Sequence, residues 1–109
     1  MPNDCIFCKI IKGEIPTDFL YKDKEIVAFK DINPQAPVHI LITPVKHIPT
    51  INEIQDDDLQ LVGKMVNVAK KLAKKTNIAQ KGYKLIINVE KGGGQEIFHI
   101  HMHLMGGWQ

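Results

Sequence analysis

Apolar and polar residues follow two rhythms along the chain, a helical one and a strand-like one, and together they lay out its elements. Residues 4–12, "DCIFCKIIK", read as a short helix that stops near Gly13 and Pro16. Two strands follow, "FLYKD" and "EIVAFKD", joined by a polar turn. Pro34 and Pro37 impose a loop before "VHILITP". Its alternation sets Val38, Ile40 and Ile42 on one face and His39 and Leu41 on the other. The longest helix is expected to begin near "DDDL" and end by Gly82. Its apolar stripe reads as Leu59, Val62, Val66, Ala69 and Leu72, with the aspartates favoured by the N-terminal dipole.

The last third reads as a hairpin, "YKLIINVE", then "KGGGQ", then "EIFHIHMHLM". On its second strand Phe98, Ile100, Met102 and Leu104 face one way, and Ile97, His99, His101 and His103 the other. The apolar face belongs to the core, and the opposite face presents a row of imidazoles. A slip of one residue would exchange the two faces, so the register is strongly specified.

Length and composition narrow what such a row can do. A chain of 109 residues is one small domain, with 44% hydrophobic and 24% charged residues. No apolar run reaches the length of a membrane span, so no membrane partner is expected. The start carries no basic region followed by an apolar one, which makes the cytoplasm the expected location. A net charge of +2 is too mild to announce nucleic acid, and all 14 basic residues are lysine, so no guanidinium fork grips phosphate or guanine. Lys70, Lys71, Lys74 and Lys75 read as the solvated end of the long helix.

Imidazoles two apart on a strand lie about 6.6 Å apart and the outer pair about 13 Å apart, from a rise near 3.3 Å per residue. Two can share a metal, but three on a straight strand call for different roles. Imidazole is largely neutral near neutral pH and suits nucleophilic attack at phosphorus, and a protonated neighbour can stabilise charged oxygens or assist the leaving group. From the residues alone, metal binding and phosphoryl chemistry stand level. The "GGGQ" loop can aim backbone N–H groups at an anion, although most such glycines simply make turns. Asn88 falls on the side of Lys84 and Ile86 on the adjacent strand, within reach of the histidine row.

His99-Ile100-His101-Met102-His103-Leu104-Met105 resembles the histidine triad signature, and Gly106-Gly107 resembles its Hint branch. "FCKIIKGEIP", "AFKDINPQAPVHILITPVKH", "KGYKLIINVE" and "GGQEIFHIHMHLMGG" resemble Hint proteins too, so the likeness spans nearly the whole chain. It implies a single α+β domain over residues 1–109, with an antiparallel sheet of about five strands, one long helix and one or two short ones. It further implies a homodimer that hydrolyses purine nucleoside phosphoramidates such as adenosine 5'-monophosphoramidate, with no metal needed for the chemistry. In that likeness His101 is the nucleophile that forms a nucleotidyl-histidine intermediate and His103 binds the phosphate. His99 and His39 complete a relay that orients the nucleophile. Asp31 matches the residue that binds the ribose hydroxyls, and Phe7, Ile10, Phe29 and Ile32 match the base pocket. Asn88, Gly94 and Gln95 match positions that contact the phosphate or leaving group. Glu96 departs from the serine of animal Hint proteins and places a carboxylate beside the leaving amine. Dinucleoside polyphosphate hydrolysis is the alternative within the same chemistry, disfavoured by the glycine pair. A zinc-bearing nucleotide-binding interaction module is the alternative outside it.

Cys5-x-x-Cys8 remains. Two small residues packing a short helix would explain the pair, and a thioredoxin-type redox pair would sit elsewhere in a fold. The resemblance to bacterial relatives with this N-terminal pair implies a structural zinc instead, with His47 and His99 completing a Cys2His2 set.

Overall fold

Strand β3 (Val38–Pro44) is the axis of the fold in the computed structural model, which describes residues 4–109. It is buried along nearly its whole length because both faces are covered, which is why "VHILITP" reads as almost continuously apolar. On one side it pairs antiparallel with β2 (Ile26–Lys30), which in turn pairs with β1 (Phe19–Lys22). On the other side it pairs with β5 (Met102–Gly106), which pairs with β4 (Tyr83–Ile86) at the edge. The sheet order is β1-β2-β3-β5-β4.

The two remaining elements divide the faces between them. Helix α2 (Leu59–Lys75) covers one face, in a core with Ile26, Ile40, Ile42, Ile100 and Leu104. Helix α1 (Ile6–Ile11) covers the other, where Cys5, Phe7, Cys8 and Ile10 pack on Val27, Phe29 and Leu41. It ends where the sequence places the stop: Gly13 takes φ +84°, a left-handed conformation natural to glycine, and its N–H reaches the Ile10 carbonyl.

The start of α2 follows expectation, with a 3-10 turn at Asp56–Asp58 whose capping box joins Gln55 to Asp58. Its buried stripe does so only in the second half, where Ala69 and Leu72 are buried as expected. Met65, Val68, Ala69, Leu72 and Ala73 face the sheet, whereas Leu59 and Val66 are 60% and 43% exposed. Val62 is half-buried. Two neighbouring stripes both satisfy helical spacing here, and the sheet selects the one that places fully buried Met65 in the same core as Ile26 and Ile42.

The C-terminal hairpin is also shorter than its sequence implies. Pairing runs only from Tyr83↔Gly106 to Ile86↔His103, and residues 87–101 leave the ladder. Glu90 adopts φ +64°, a 3-10 turn spans Lys91–Gly93, and Gly94 at φ +92° closes it. The returning segment then bonds to the end of β3 and the chain beyond it: Thr43 Oγ1 donates to Ile100 O at 2.8 Å, and Ile100 N–H donates to Ile48 O at 2.8 Å. The bend at residues 97–99 turns Phe98 out of the expected apolar row, leaving it 42% exposed. Among the described residues, no helix is long and apolar enough to cross a membrane.

Candidate active site

The histidine row is divided between two backbone settings. His103 lies on β5 and His39 on β3, while His99 and His101 sit on the irregular extended segment before β5. The alternation of side chains survives from His99 onward, but the row is not an open strand face. His99 is fully buried and His101 is 9% exposed, because α1 covers that side of the sheet. Burial of the histidines is therefore the native arrangement and not the mark of a slipped register.

Hydrogen bonds assign a proton to each ring. Gln35 N–H donates to His39 Nδ1 at 2.9 Å, so that nitrogen is unprotonated and the His39 proton sits on Nε2. His39 Nε2 lies 2.9 Å from His103 Nδ1, which must then accept, leaving the His103 proton on Nε2. Asp31 Oδ2 stands 3.4 Å from the same His39 nitrogen. On the other branch His101 Nδ1 is 2.8 Å from the His99 carbonyl. A carbonyl oxygen only accepts, so His101 Nδ1 carries the proton and Nε2 keeps an unshared lone pair. The His99 ring takes no direct part in this relay, since its Nε2–H donates to Pro44 O at 2.7 Å and its Nδ1 turns toward the cysteines. The backbone of residue 99, not its imidazole, orients His101.

Burial favours the neutral form of His101 and His103. It is the main cause that lowers His101, opposed by the His99 carbonyl and by Asp31. His103 is pushed down to about 4, first by burial and then by His101 and His39. Phe7 adds to the enclosure, meeting the His101 ring edge-on with centroids 5.0 Å apart.

These rings open onto a cleft of about 1080 Å3. Phe7, Ile10, Phe29, Asp31, Ile32, Asn88, Gly94 and Glu96 all line it, with Ile32 90% exposed at the rim. Gln95 does not. Its side chain is 4% exposed and fully engaged, accepting from Glu90 N–H at 2.9 Å and donating to Pro49 O and Ile97 O at 2.7 and 2.9 Å. Its own N–H goes to Glu90 O, so its amide and its backbone N–H are both bonded within and beneath the loop, which Gln95 buttresses. Leu41, Ile86, Ile97 and Met105 join the wall without having been singled out. Strand alternation had put Leu41 with His39 and Ile97 with the histidines, and that was the available signal. Gln35 was also missed, because its contribution is a backbone N–H in a proline-flanked loop.

A second cluster lies beneath α1. One donor atom each from Cys5, Cys8, His47 and His99 falls within 4.8 Å of the others. Cys5 Sγ and Cys8 Sγ are 3.4 and 3.6 Å from His99 Nδ1, Cys8 Sγ is 3.3 Å from His47 Nδ1, and the two Nδ1 atoms are 3.2 Å apart. A tetrahedral zinc with bonds of about 2.3 Å to sulfur and 2.05 Å to nitrogen would separate S from N by about 3.6 Å and N from N by about 3.3 Å. The donor set therefore fits such an ion. The His99 Nε2–H bond to Pro44 O presents Nδ1 as a lone pair, the usual outer support of a metal-bound imidazole. Without a cation, burial and then Cys5 push the Cys8 thiol up to about 11. His47 and His99 are lowered, the latter to about 4, in both cases mainly by burial.

Comparison with known proteins gives concordant matches. Residues 4–107 match the family model described as scavenger mRNA decapping enzyme C-terminal binding. A purine nucleoside phosphoramidase of Escherichia coli (strain K12) is 51% identical over 107 residues, 98% of this chain and 90% of that protein. The crystal structure of a HIT family hydrolase from Legionella pneumophila Philadelphia 1 superposes with a TM-score of 0.94 at 54% identity, covering 97% of this chain and 95% of the other. A HIT family hydrolase from Clostridium thermocellum gives a TM-score of 0.96 at 45% identity, covering 100% of this chain and 95% of its own.

Proposed function

Because the chain belongs to the histidine triad family of hydrolases, we propose that it cleaves purine nucleoside phosphoramidates of the AMP-amine type through a nucleotidyl-histidine intermediate. The observation that carries this reading is the 2.8 Å contact between His101 Nδ1 and the His99 carbonyl, which leaves the opposite nitrogen as a lone pair on a ring lining the cleft. That nitrogen attacks phosphorus, the P–N bond breaks, and the departing nitrogen takes up a proton and leaves as the amine. Water then displaces the imidazole, forming a new P–O bond and releasing the nucleoside monophosphate. One water is consumed and the histidine is regenerated.

The other groups have roles that follow from their settings. His103 Nε2–H is a donor for a phosphate oxygen, held in that tautomer by His39, and its strength grows as charge develops on the oxygen. Phe7, Ile10, Phe29 and Ile32 offer apolar surface to the base, and Asp31 offers a carboxylate to the ribose hydroxyls. Asn88, Gly94 and Glu96 stand on the wall where phosphate and leaving amine would lie, with Gln95 holding their loop. The route through His101 uses no metal. Zinc on Cys5, Cys8, His47 and His99 would serve structure, fixing α1 against the sheet.

The working form is a homodimer. Supporting this, β4 is an edge strand with free backbone on its outer side, and Leu85 on it is 38% exposed. Two cysteines free of disulfide bonding fit a reducing compartment, the cytoplasm. The test of the hydrolase reading is steady-state turnover of adenosine 5'-phosphoramidate by wild type and His101→Asn, each with and without chelator. Turnover that vanishes in the variant and survives chelation supports the mechanism; undiminished turnover in His101→Asn refutes it.

A further inference from the structure

The donor cluster and the nucleotide cleft share a wall, and that wall is helix α1. Cys5 caps the helix and Cys8 lies within it, both turned to His47 and His99. Ile6, Phe7 and Ile10 of the same helix line the cleft. Six residues are too few for a helix to persist alone, so the position of α1 is set by what it packs against. Its backbone hydrogen bonds among the described residues are local, Lys9 to Cys5, Lys12 to Cys8 and Gly13 to Ile10. The polar contacts that tie its side chains to the segments flanking β3 and β5 are the thiol–imidazole ones, 3.3–3.6 Å long and weak as hydrogen bonds. Phe7, between the two cysteines, rests edge-on against both Phe29 and His101, with centroids 5.6 and 5.0 Å away.

We infer that cation binding by Cys5, Cys8, His47 and His99 and nucleotide binding in the cleft are thermodynamically coupled through α1. This inference rests on the nucleotide reading of the cleft given above. A divalent, thiophilic cation would displace the two thiol protons to solvent, replace the weak thiol contacts with two metal–sulfur bonds and so fix the helix in the position where Phe7 and Ile10 close on the base. A nucleotide that holds those side chains in place holds the thiolates together in turn. The coupling is reciprocal by necessity: the factor by which the cation tightens nucleotide binding equals the factor by which nucleotide tightens cation binding. Cys5, Cys8 and His47 are thus positioning residues for the nucleotide, which none of them touches.

The experiment measures AMP affinity calorimetrically on zinc-loaded and chelator-stripped full-length protein, and Co2+ affinity with and without saturating AMP. Both affinities are expected to change by the same factor, between about 5-fold and 150-fold. The thiolate charge-transfer and visible bands of the Co2+-loaded protein are expected to shift when AMP is added. That measurement keeps the protein loaded and folded in both arms, so it stands even if stripping unfolds the chain. In Phe7→Ala the factor should fall toward one; a factor left unchanged there overturns the route through α1. AMP affinity that is equal in loaded and stripped protein, with a Co2+ spectrum indifferent to AMP, overturns the coupling and leaves the hydrolase reading standing. Failure to bind the cation overturns the coupling alone, and failure of the loaded protein to bind AMP overturns both.

Discussion

Replacing Gln95 with methionine keeps the length of the side chain and removes its amide. The perturbation deletes three hydrogen bonds, from Glu90 N–H and to Pro49 O and Ile97 O, at 2.9, 2.7 and 2.9 Å. Each such bond contributes about 0.5–1.5 kcal/mol net, so the expected loss is about 3 kcal/mol for the set. Against a urea dependence of about 1.5 kcal/mol per molar, that lowers the unfolding midpoint by about 2 M. The buttress also carries function, because the loop it ties supplies Gly94, Glu96 and Ile97 to the cleft and runs directly into His99 and His101. A misplacement costing about 1.4 kcal/mol in the transition state lowers kcat/KM about tenfold. The assay is urea unfolding followed by far-ultraviolet circular dichroism, with zinc content held constant, paired with phosphoramidate turnover on the same preparations. A midpoint within about 0.3 M of wild type, together with full activity, would refute the reasoning. The loop would then be held by its 3-10 turn and glycines alone.

Other predictions follow from the relay and the surface. His39→Phe removes the donor to His103 Nδ1 and frees the His103 tautomer; kcat for the phosphoramidate should fall about tenfold with KM little changed, as steady-state kinetics will show. Burial lowers His101, and lowers His103 to about 4, so between the unfolded value of about 6.5 and that of folded His103 the unfolded chain binds more protons than the folded one. Stability is therefore full near neutrality and is lost across that window, and urea midpoints at pH 7 and pH 4.5 should differ less in His103→Gln than in wild type. Leu85→Asp places a charge on the outer strand, and where wild type sediments as the proposed dimer the variant should sediment as a folded monomer; a dimeric variant would remove β4 from the proposed interface.

Much of this was readable from sequence, and the exceptions share a cause. The bounds of β3 and the stop of α1 follow from proline, glycine and alternation, which act locally. Every candidate cleft residue except Gln95 does line the cleft, because matching motifs carries position without needing contacts. What failed depended on partners distant in sequence. Alternation through His99 and His101 looks like a strand, but whether an extended segment joins a ladder depends on what lies beside it. Here β4 has ended, and Ile48 supplies the bond instead. In α2, Leu59–Val62–Val66 and Leu61–Met65–Val68 are equally periodic, and only the sheet discriminates between them. The polar side chain of Gln95 gives no hint of whether it faces a ligand or three backbone groups.

The proton on His101 is held in place by a main-chain oxygen. No exchange of side chain at position 99 deletes that acceptor, so descendants of this sequence can acquire, lose or trade the proposed metal ligand there while His101, the proposed nucleophile, keeps its tautomer. Two properties that meet in one residue, metal capture and reactivity, are thereby open to separate inheritance.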